Sequence, residues 1–394
     1  MQNTPLAFRT HVTIFGNTNT GKSSLFNKLI NEEIMIVSEQ HGTTTDPVTK
    51  AMELLPYGPI ALCDTAGLFD TTPLGKAREK KTKAILKRTD FAIYTADSSD
   101  FNKEAYERAK EMFLQSKVPH MLVFTKSDIG KDYQKEYPLS VSVSVTDNTS
   151  IERLKAELIK SLSELCKNDS DTMIGNLLGK GSLIVHVIPI DSEAPKGRLI
   201  LPQVQLLRDC LDYNMKSIVV KPDELSEIID NYGKEIDLVV TDSQIFYEVS
   251  QIVPENIMLT SYSMLMANMK GDLHSFIKGA DAIKSLKDGS KILMAEACTH
   301  NSSHEDIGRV KIPNLLRKKT GKNLLFDFYV HHDFPDNLSR YDLIIHCGGC
   351  MINAKSMQNR IDFALNSNVP ITNYGVTLAY LSGILDRAKQ IFLR

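Results

Sequence analysis

A short apolar run, His11-Val-Thr-Ile-Phe15, meets Gly16-Asn17-Thr18-Asn19-Thr20-Gly21-Lys22-Ser23 with nothing between them, and a helical pattern follows from Ser24 to Leu29. Few features restrict a fold as much. The match to G-x-x-x-x-G-K-[ST], set between a strand and a helix, predicts a parallel α/β sheet whose strand end holds a phosphate chain. Backbone N–H groups from Gly16 to Ser24, together with the helix N-terminus, can cradle the phosphates. Lys22 is placed to reach the β and γ oxygens, and Ser23 to ligate magnesium.

The boxes that follow select the nucleotide. Gly42-Thr-Thr44-Thr-Asp46 falls in a polar loop where a switch threonine belongs, with Thr44 as the second magnesium ligand. Leu62-Cys-Asp64-Thr-Ala-Gly67 reads as a strand ending in Asp-x-x-Gly, so Asp64 holds the magnesium through water and the Gly67 N–H senses the γ-phosphate. Met121-Leu-Val-Phe-Thr125-Lys126-Ser-Asp128 is a second strand ending in a base-reading box. A carboxylate at Asp128 accepts both N1–H and N2–H of guanine, a donor pair that adenine does not offer, while the Lys126 stem covers the ring. The box usually opens on asparagine, so Thr125 is a departure that bears on guanine affinity or selectivity. Ser144-Val145, ahead of a helical pattern from Ser150 to Cys166, fits the last and weakest box.

The net charge of −2 and pI near 6.6 supply no basic field for nucleic acid. No leader pattern opens the chain and no apolar run reaches membrane length, so no membrane contact is expected. Six cysteines in 394 residues then point to a reducing cytoplasm with free thiols. Cys63, Cys166 and Cys210 lie in apolar patterns and read as packing residues. The periodicity divides the chain into three α/β modules, residues 7–166, 172–268 and 270–394, the first a P-loop GTPase domain and the others smaller parallel layers. The middle one shows no chemistry-bearing pattern, and joining subunits is the work left to it. In the last, helices are expected over 272–287, 306–320 and 354–366 and from Leu378 onward.

Two thiol sites close apolar runs in the last module. Lys291-Ile-Leu-Met-Ala-Glu-Ala-Cys298-Thr-His300 is one, and Tyr341-Asp-Leu-Ile-Ile-His346-Cys347-Gly-Gly-Cys350 is the other. Parallel strands end along one edge, so the three sulfurs should meet there as a soft-metal nest. Five of the ten histidines fall from residue 300 onward, His300, His304, His331, His332 and His346, which strengthens the metal reading. The residues leave several uses open: a redox pair, unligated packing, a zinc site closed by His300 or His346, and an iron–sulfur cluster, with spacing balanced between the last two.

The first module resembles the TrmE-Era-like branch of the translation-factor class of GTPases. Leu68 stands where Ras-type proteins place a water-orienting glutamine, and Asn19 matches the asparagine that ligates K⁺ in potassium-activated members. The resemblance therefore implies slow hydrolysis stimulated by K⁺, with Lys22, Thr44, Asp64, Gly67 and Asn19 as the catalytic set. Over nearly the whole chain, this GTPase followed by Cys298-x-His300 and His346-Cys347-x-x-Cys350 resembles the HydF family, the GTPases that mature FeFe-hydrogenase. That resemblance implies a 4Fe-4S cluster on Cys298, Cys347 and Cys350, and a dimer built on the middle module. It also implies a scaffold that takes up a transient diiron precursor, made with two radical-SAM maturases, and delivers it to apo FeFe-hydrogenase. GTP then acts as a switch for partner traffic. For the fourth iron, His300, His346 and Glu305 are the candidates, a histidine so near a ligating cysteine serving equally as a hydrogen-bond donor to sulfur. Two other readings stand beside this one: a tRNA-modifying GTPase of the TrmE type, which needs a folate-binding module ahead of its GTPase, and a zinc-stabilised GTPase adaptor.

Overall fold

The computed structural model describes residues 4–31, 48–65, 67, 82, 84–165, 172–191, 196–297, 307–330 and 333–393. The chain divides into two compact units, Met1–Asn168 and Asp169–Arg394.

The first unit is built on a six-stranded sheet. Its strands are β1 (Thr10–Gly16), β2 (Val48–Leu54), β3 (Gly58–Asp64), β4 (Phe91–Asp97), β5 (His120–Thr125) and β6 (Val141–Ser142), in the order β2-β3-β1-β4-β5-β6. All neighbours are parallel except β2, which runs antiparallel to β3. The central strands read as unbroken apolar runs because both faces are covered: every residue of Phe91–Ala96 is buried. Val12, Ile14, Leu25, Leu29 and Leu154 are among the fully interior residues of one face, and Phe15, Tyr94, Phe113 and Phe124 of the other. This arrangement brings the carboxyl ends of β1, β3 and β5 to one edge, where the sequence boxes lie.

The second unit holds two wholly parallel four-stranded sheets. The first contains β7 (Leu183–Val187), β8 (Lys216–Val220), β9 (Ile236–Thr241) and β10 (Met258–Ser261) in the order β10-β9-β7-β8. The second contains β11 (Lys291–Glu296), β12 (Leu325–Val330), β13 (Leu343–His346) and β14 (Ile371–Asn373) in the order β12-β11-β13-β14. One apolar core runs through both, joining Val185, Val239 and Met264 to Met294, Ile345 and Val376.

Side-chain caps set where the helices start. Ser261 accepts from the Met264 N–H and opens the helix Tyr262–Lys270, Asn353 accepts from Ser356 N–H, and Asn373 from Val376 N–H. The helix expected from Leu378 therefore begins at Tyr374, directly off β14. The helix expected over 272–287 divides into Leu273–Ala280 and a 3-10 segment Asp281–Ser285, and the one expected over 306–320 opens with a π-helical turn at Ile307–Lys311. The helix at Ala354–Asn366 falls where periodicity puts it.

Two stability predictions arise here. A Cβ on Gly279, in the helix Leu273–Ala280, would lie 1.9 Å from the Ile371 carbonyl oxygen on β14. Both contacting elements are backbone, so the helix must move off the sheet. Gly279→Ala should destabilise the chain by about 2 kcal/mol, read as a lower urea midpoint with unchanged slope. A second effect comes from His186 on β7, which is fully buried and sits 3.2 Å from both Tyr262 Oη and Ser217 Oγ. Burial holds its pKa down to about 4. Its other neighbour Cys210 has its pKa pushed up to about 11 by burial, and Tyr262 is raised well above its ordinary value, so neither titrates at acid pH. Between the ordinary histidine pKa and pH 4 the unfolded chain takes up a proton that the folded chain refuses. The stabilisation is complete above about pH 6.5 and is lost as pH falls through that window, by about 3 kcal/mol. His186→Gln should therefore flatten the acid limb of a urea-stability profile by that amount relative to the parent; matching profiles at pH 7.5 and 4.5 would contradict it.

Candidate functional site

In the first unit the phosphate loop closes on the end of β1. Gly16 (φ 151°) has no room for a side chain, since a Cβ there would lie 2.4 Å from Thr95 Oγ1 and 2.5 Å from the Thr95 carbonyl oxygen. Lys22 is 7% exposed and donates to the Asn17 carbonyl oxygen. Burial lowers its pKa and the Asp64 charge works against that shift. Ser23 Oγ donates to Asp64 Oδ2 at 2.6 Å, so two expected magnesium ligands from β3 and the loop helix already touch. Burial raises the Asp64 pKa, opposed by Ser23 and Lys22. Asp64 Oδ1 and Asn17 Oδ1 are buried and have no hydrogen-bond partner among the described residues. An unsatisfied carboxylate oxygen beside a hydroxyl and an ammonium suits a hydrated divalent cation with its phosphates, so the residues present fit the group. Gly67 lies against the loop: a Cβ there would be 2.7 Å from Thr18 Oγ1 and 3.0 Å from Thr18 N. Asn19 is exposed, with a left-handed φ of 64°. Thr44 and Leu68 lie outside the described residues.

At the base-reading end, Thr125 is buried and Asp128 exposed. Lys126 Nζ is paired with Asp97 Oδ2, and its backbone is left-handed at φ 55°. Ser144 is buried, its N–H donating to Ser150 Oγ, while Val145 is 39% exposed.

In the second unit β11 and β13 are neighbours in the sheet, which places their carboxyl ends side by side, as parallel strands ending at one edge require. Cys347 N–H donates to the Ala295 carbonyl oxygen at 2.8 Å. The Cys347 sulfur in turn accepts N–H groups from Ala297 at 3.0 Å and Gly349 at 3.4 Å. Burial pushes the Cys347 thiol up to about 11, with those two donors acting the other way. Cys298, next in sequence to Ala297, lies outside the described residues, as do His300, His304, Glu305, His331 and His332. Among the described residues no three His, Cys, Asp or Glu side chains form a group able to hold a metal ion.

His346 is wholly enclosed. Arg360 Nη1 donates to its Nε2 at 2.7 Å, leaving Nδ1–H to donate to the Cys347 carbonyl oxygen at 2.8 Å. Burial and the Arg360 charge lower its pKa to about 3. As placed, neither ring nitrogen is left for iron, and the ring anchors the strand end instead.

Lys270, at the end of the helix Tyr262–Lys270, is a residue that sequence reasoning missed. Its ammonium donates to the carbonyl oxygens of Ile352 at 2.9 Å, Cys350 at 3.3 Å and Gly349 at 3.4 Å. Burial lowers its pKa to about 8, opposed by the nearby thiols. It fastens the Cys-Gly-Gly-Cys loop from beneath. Only its place at the end of a helical pattern marks it in the sequence, and nothing local shows which loop it will meet.

Cys347, Gly348 and Cys350 line a cavity of about 140 Å³. Asp242 and Ser243, just past β9, and Ser263, in the helix that follows β10, form another part of its wall, with Glu296 and Tyr374. Glu296 is held by Arg309 Nη2 at 3.1 Å and Tyr374 Oη at 3.4 Å. The stretch expected to do no more than join subunits thus also walls the thiol cavity.

Segments of the chain match known proteins. Residues 11–126 match the model described as 50S ribosome-binding GTPase. GTPase Der of Campylobacter concisus is 33% identical over 168 residues, covering 41% of this chain and 36% of that protein. The tRNA modification GTPase MnmE of Mesoplasma florum is 32% identical over 234 residues, covering 56% of this chain and 50% of its own. The chain spans about a third to a half of the length of these curated relatives. Among solved structures, the G domain of T. maritima FeoB is similar at 24% identity and a TM-score of 0.30, covering 39% of this chain and 98% of that one. The chain has the P-loop GTPase domain, which supports GTP hydrolysis, and no helix among the described residues is long and apolar enough to cross a membrane. Residues 173–271 match the hydrogen maturase F dimerization domain and 274–391 the hydrogen maturase F tetramerization domain, which supports a homodimer or larger assembly. Together these two modules take in more than half of the 394 residues, follow the GTPase domain in one chain, and make this protein a member of the hydrogen maturase F family.

Proposed function

We propose that the chain is a GTP-hydrolysing scaffold that binds a 4Fe-4S cluster on Cys298, Cys347 and Cys350, receives a diiron precursor and delivers it to apo FeFe-hydrogenase. The observation that carries this reading is the Ala297 N–H seated 3.0 Å from the Cys347 sulfur, at a cavity that Cys350 also lines. That contact brings the residue before Cys298 against the second thiol site. N–H donors of this kind stabilise thiolate sulfur bound to iron. A cluster held by three cysteines supplies a fourth iron open to an exchangeable donor. With both nitrogens of His346 engaged, Glu305 and His300 are the candidates for that position.

The chain's own residues do the rest. Lys270 and His346 hold the cysteine loop, and Glu296, Asp242 and the serines present a polar wall to incoming cargo. GTP turnover in the separate unit then sets which partner is engaged: the apo-hydrogenase or one of the two radical-SAM maturases. Asn19 is assigned to a K⁺ ion that stabilises charge during hydrolysis, with Thr44, Ser23 and Asp64 on magnesium.

Anaerobic reconstitution followed by iron and sulfide analysis and EPR of the reduced protein tests the cluster. About four irons per chain with a low-spin cubane signal is the expected outcome; zinc without iron would reject it. GTP turnover should be several-fold faster in KCl than in NaCl, and Asn19→Ala should remove the difference.

A further inference from the structure

The base-reading box opens on threonine where asparagine is usual, and the position of Thr125 defines what this changes. Its hydroxyl lies 2.8 Å from the Thr20 carbonyl oxygen in the phosphate loop and 3.1 Å from the Ala96 carbonyl oxygen on β4. Both neighbours are acceptors, so the one hydroxyl hydrogen is committed to the interior. The side chain also lies against the loop: a Cβ placed on Gly21 would be in ordinary contact with it, 3.4 Å from Thr125 Cβ and 3.6 Å from its Cγ2.

An asparagine amide carries two N–H groups, so one can tie the loop while the other faces a base. A hydroxyl cannot do both. Nearby backbone donors are committed too, Ser127 N–H to the Val143 carbonyl and those of Ile129 and Gly130 to the Lys126 carbonyl. Lys126 Nζ is paired with Asp97. Guanine's N7 and O6 are acceptors, whereas its N1–H and N2–H are donors that suit the exposed Asp128 carboxylate.

We propose that this GTPase reads guanine through the N1–H and N2–H edge at Asp128 and leaves N7 unread, because Thr125 commits its only hydrogen to the phosphate loop. Thr125 is a specificity-determining residue by what it withholds.

Equilibrium titration of the full chain with GTP, 7-deaza-GTP and inosine triphosphate in magnesium tests this. Replacing N7 by carbon should leave affinity within twofold of GTP. Inosine triphosphate, which lacks the 2-amino group, should bind about tenfold more weakly. Thr125→Asn restores a spare donor and should make the protein favour GTP over 7-deaza-GTP by about fivefold. A parent chain that binds 7-deaza-GTP threefold or more weakly than GTP overturns the proposal, as does one that binds inosine triphosphate as tightly as GTP. These parent-chain comparisons stand whether or not the variant folds, and the absolute GTP affinity tests the nucleotide site itself, apart from how the base is read.

Discussion

Lys22→Ala should lower kcat/KM for GTP by about 10²–10³-fold, a loss of roughly 3–4 kcal/mol of transition-state stabilisation. Lys22 is 7% exposed, with its ammonium held by the Asn17 carbonyl oxygen beside Asp64. An ammonium this enclosed costs desolvation energy, and burial lowers its pKa accordingly. Phosphoryl transfer is where the charge becomes useful, because negative charge spreads over the γ-phosphate oxygens as the bond to the leaving group lengthens. Alanine leaves the backbone cradle intact and removes the one mobile cation of the loop. Arginine should not rescue, since its planar, delocalised guanidinium cannot act as the compact point charge that the lysine ammonium supplies. Phosphate release measured under saturating GTP separates the effect on turnover from the effect on binding. A Lys22→Ala variant within threefold of the parent would contradict this account of the loop.

How much of this was legible beforehand differs between the units. The phosphate loop could be read because its chemistry is local: Gly16, Gly21, Lys22 and Ser23 adjoin in sequence, and their strand and helix context is continuous. The edge that unites β11 and β13 followed from parallel topology, and the structure places Ala297 against Cys347 accordingly. What could not be read depends on contacts over long separations. Lys270 and the carbonyl groups it binds are about eighty residues apart, and Arg360 meets His346 only because a helix folds back across β13. Nor could periodicity show that Ser243 and Ser263 share a hydrogen bond at the wall of the thiol cavity, since each alone looks like an ordinary residue at the start of a helix. The start of the helix at Tyr374 was missed for a different reason. Its apolar pattern is nearly uniform, and the Asn373 side chain, not the period, fixes the boundary.

Cys347→Ser should abolish iron retention, leaving less than about a quarter of the parent's iron after anaerobic reconstitution and desalting. Cys347 directly follows β13 in a buried position, and its sulfur accepts from two backbone N–H groups, of Ala297 on the neighbouring chain segment and of Gly349 in its own loop. Gly349 makes that turn at φ 65°, a left-handed backbone that L side chains rarely adopt, so a side chain there would be strained. Serine keeps the shape and both donors but offers a hard, weakly acidic oxygen where the proposed cluster would need a soft thiolate. A merely structural thiol would behave differently: its conversion to serine would lower stability and leave metal content untouched. Cys210, buried beside His186 and far from this loop in sequence, supplies that comparison. Cys210→Ser should retain the parent's iron and EPR signal while melting earlier. GTP turnover, carried by the other unit, should stay within twofold in both variants. Full iron and an unchanged spectrum in Cys347→Ser would remove Cys347 from the cluster and with it the reason for the two thiol sites to share one sheet edge.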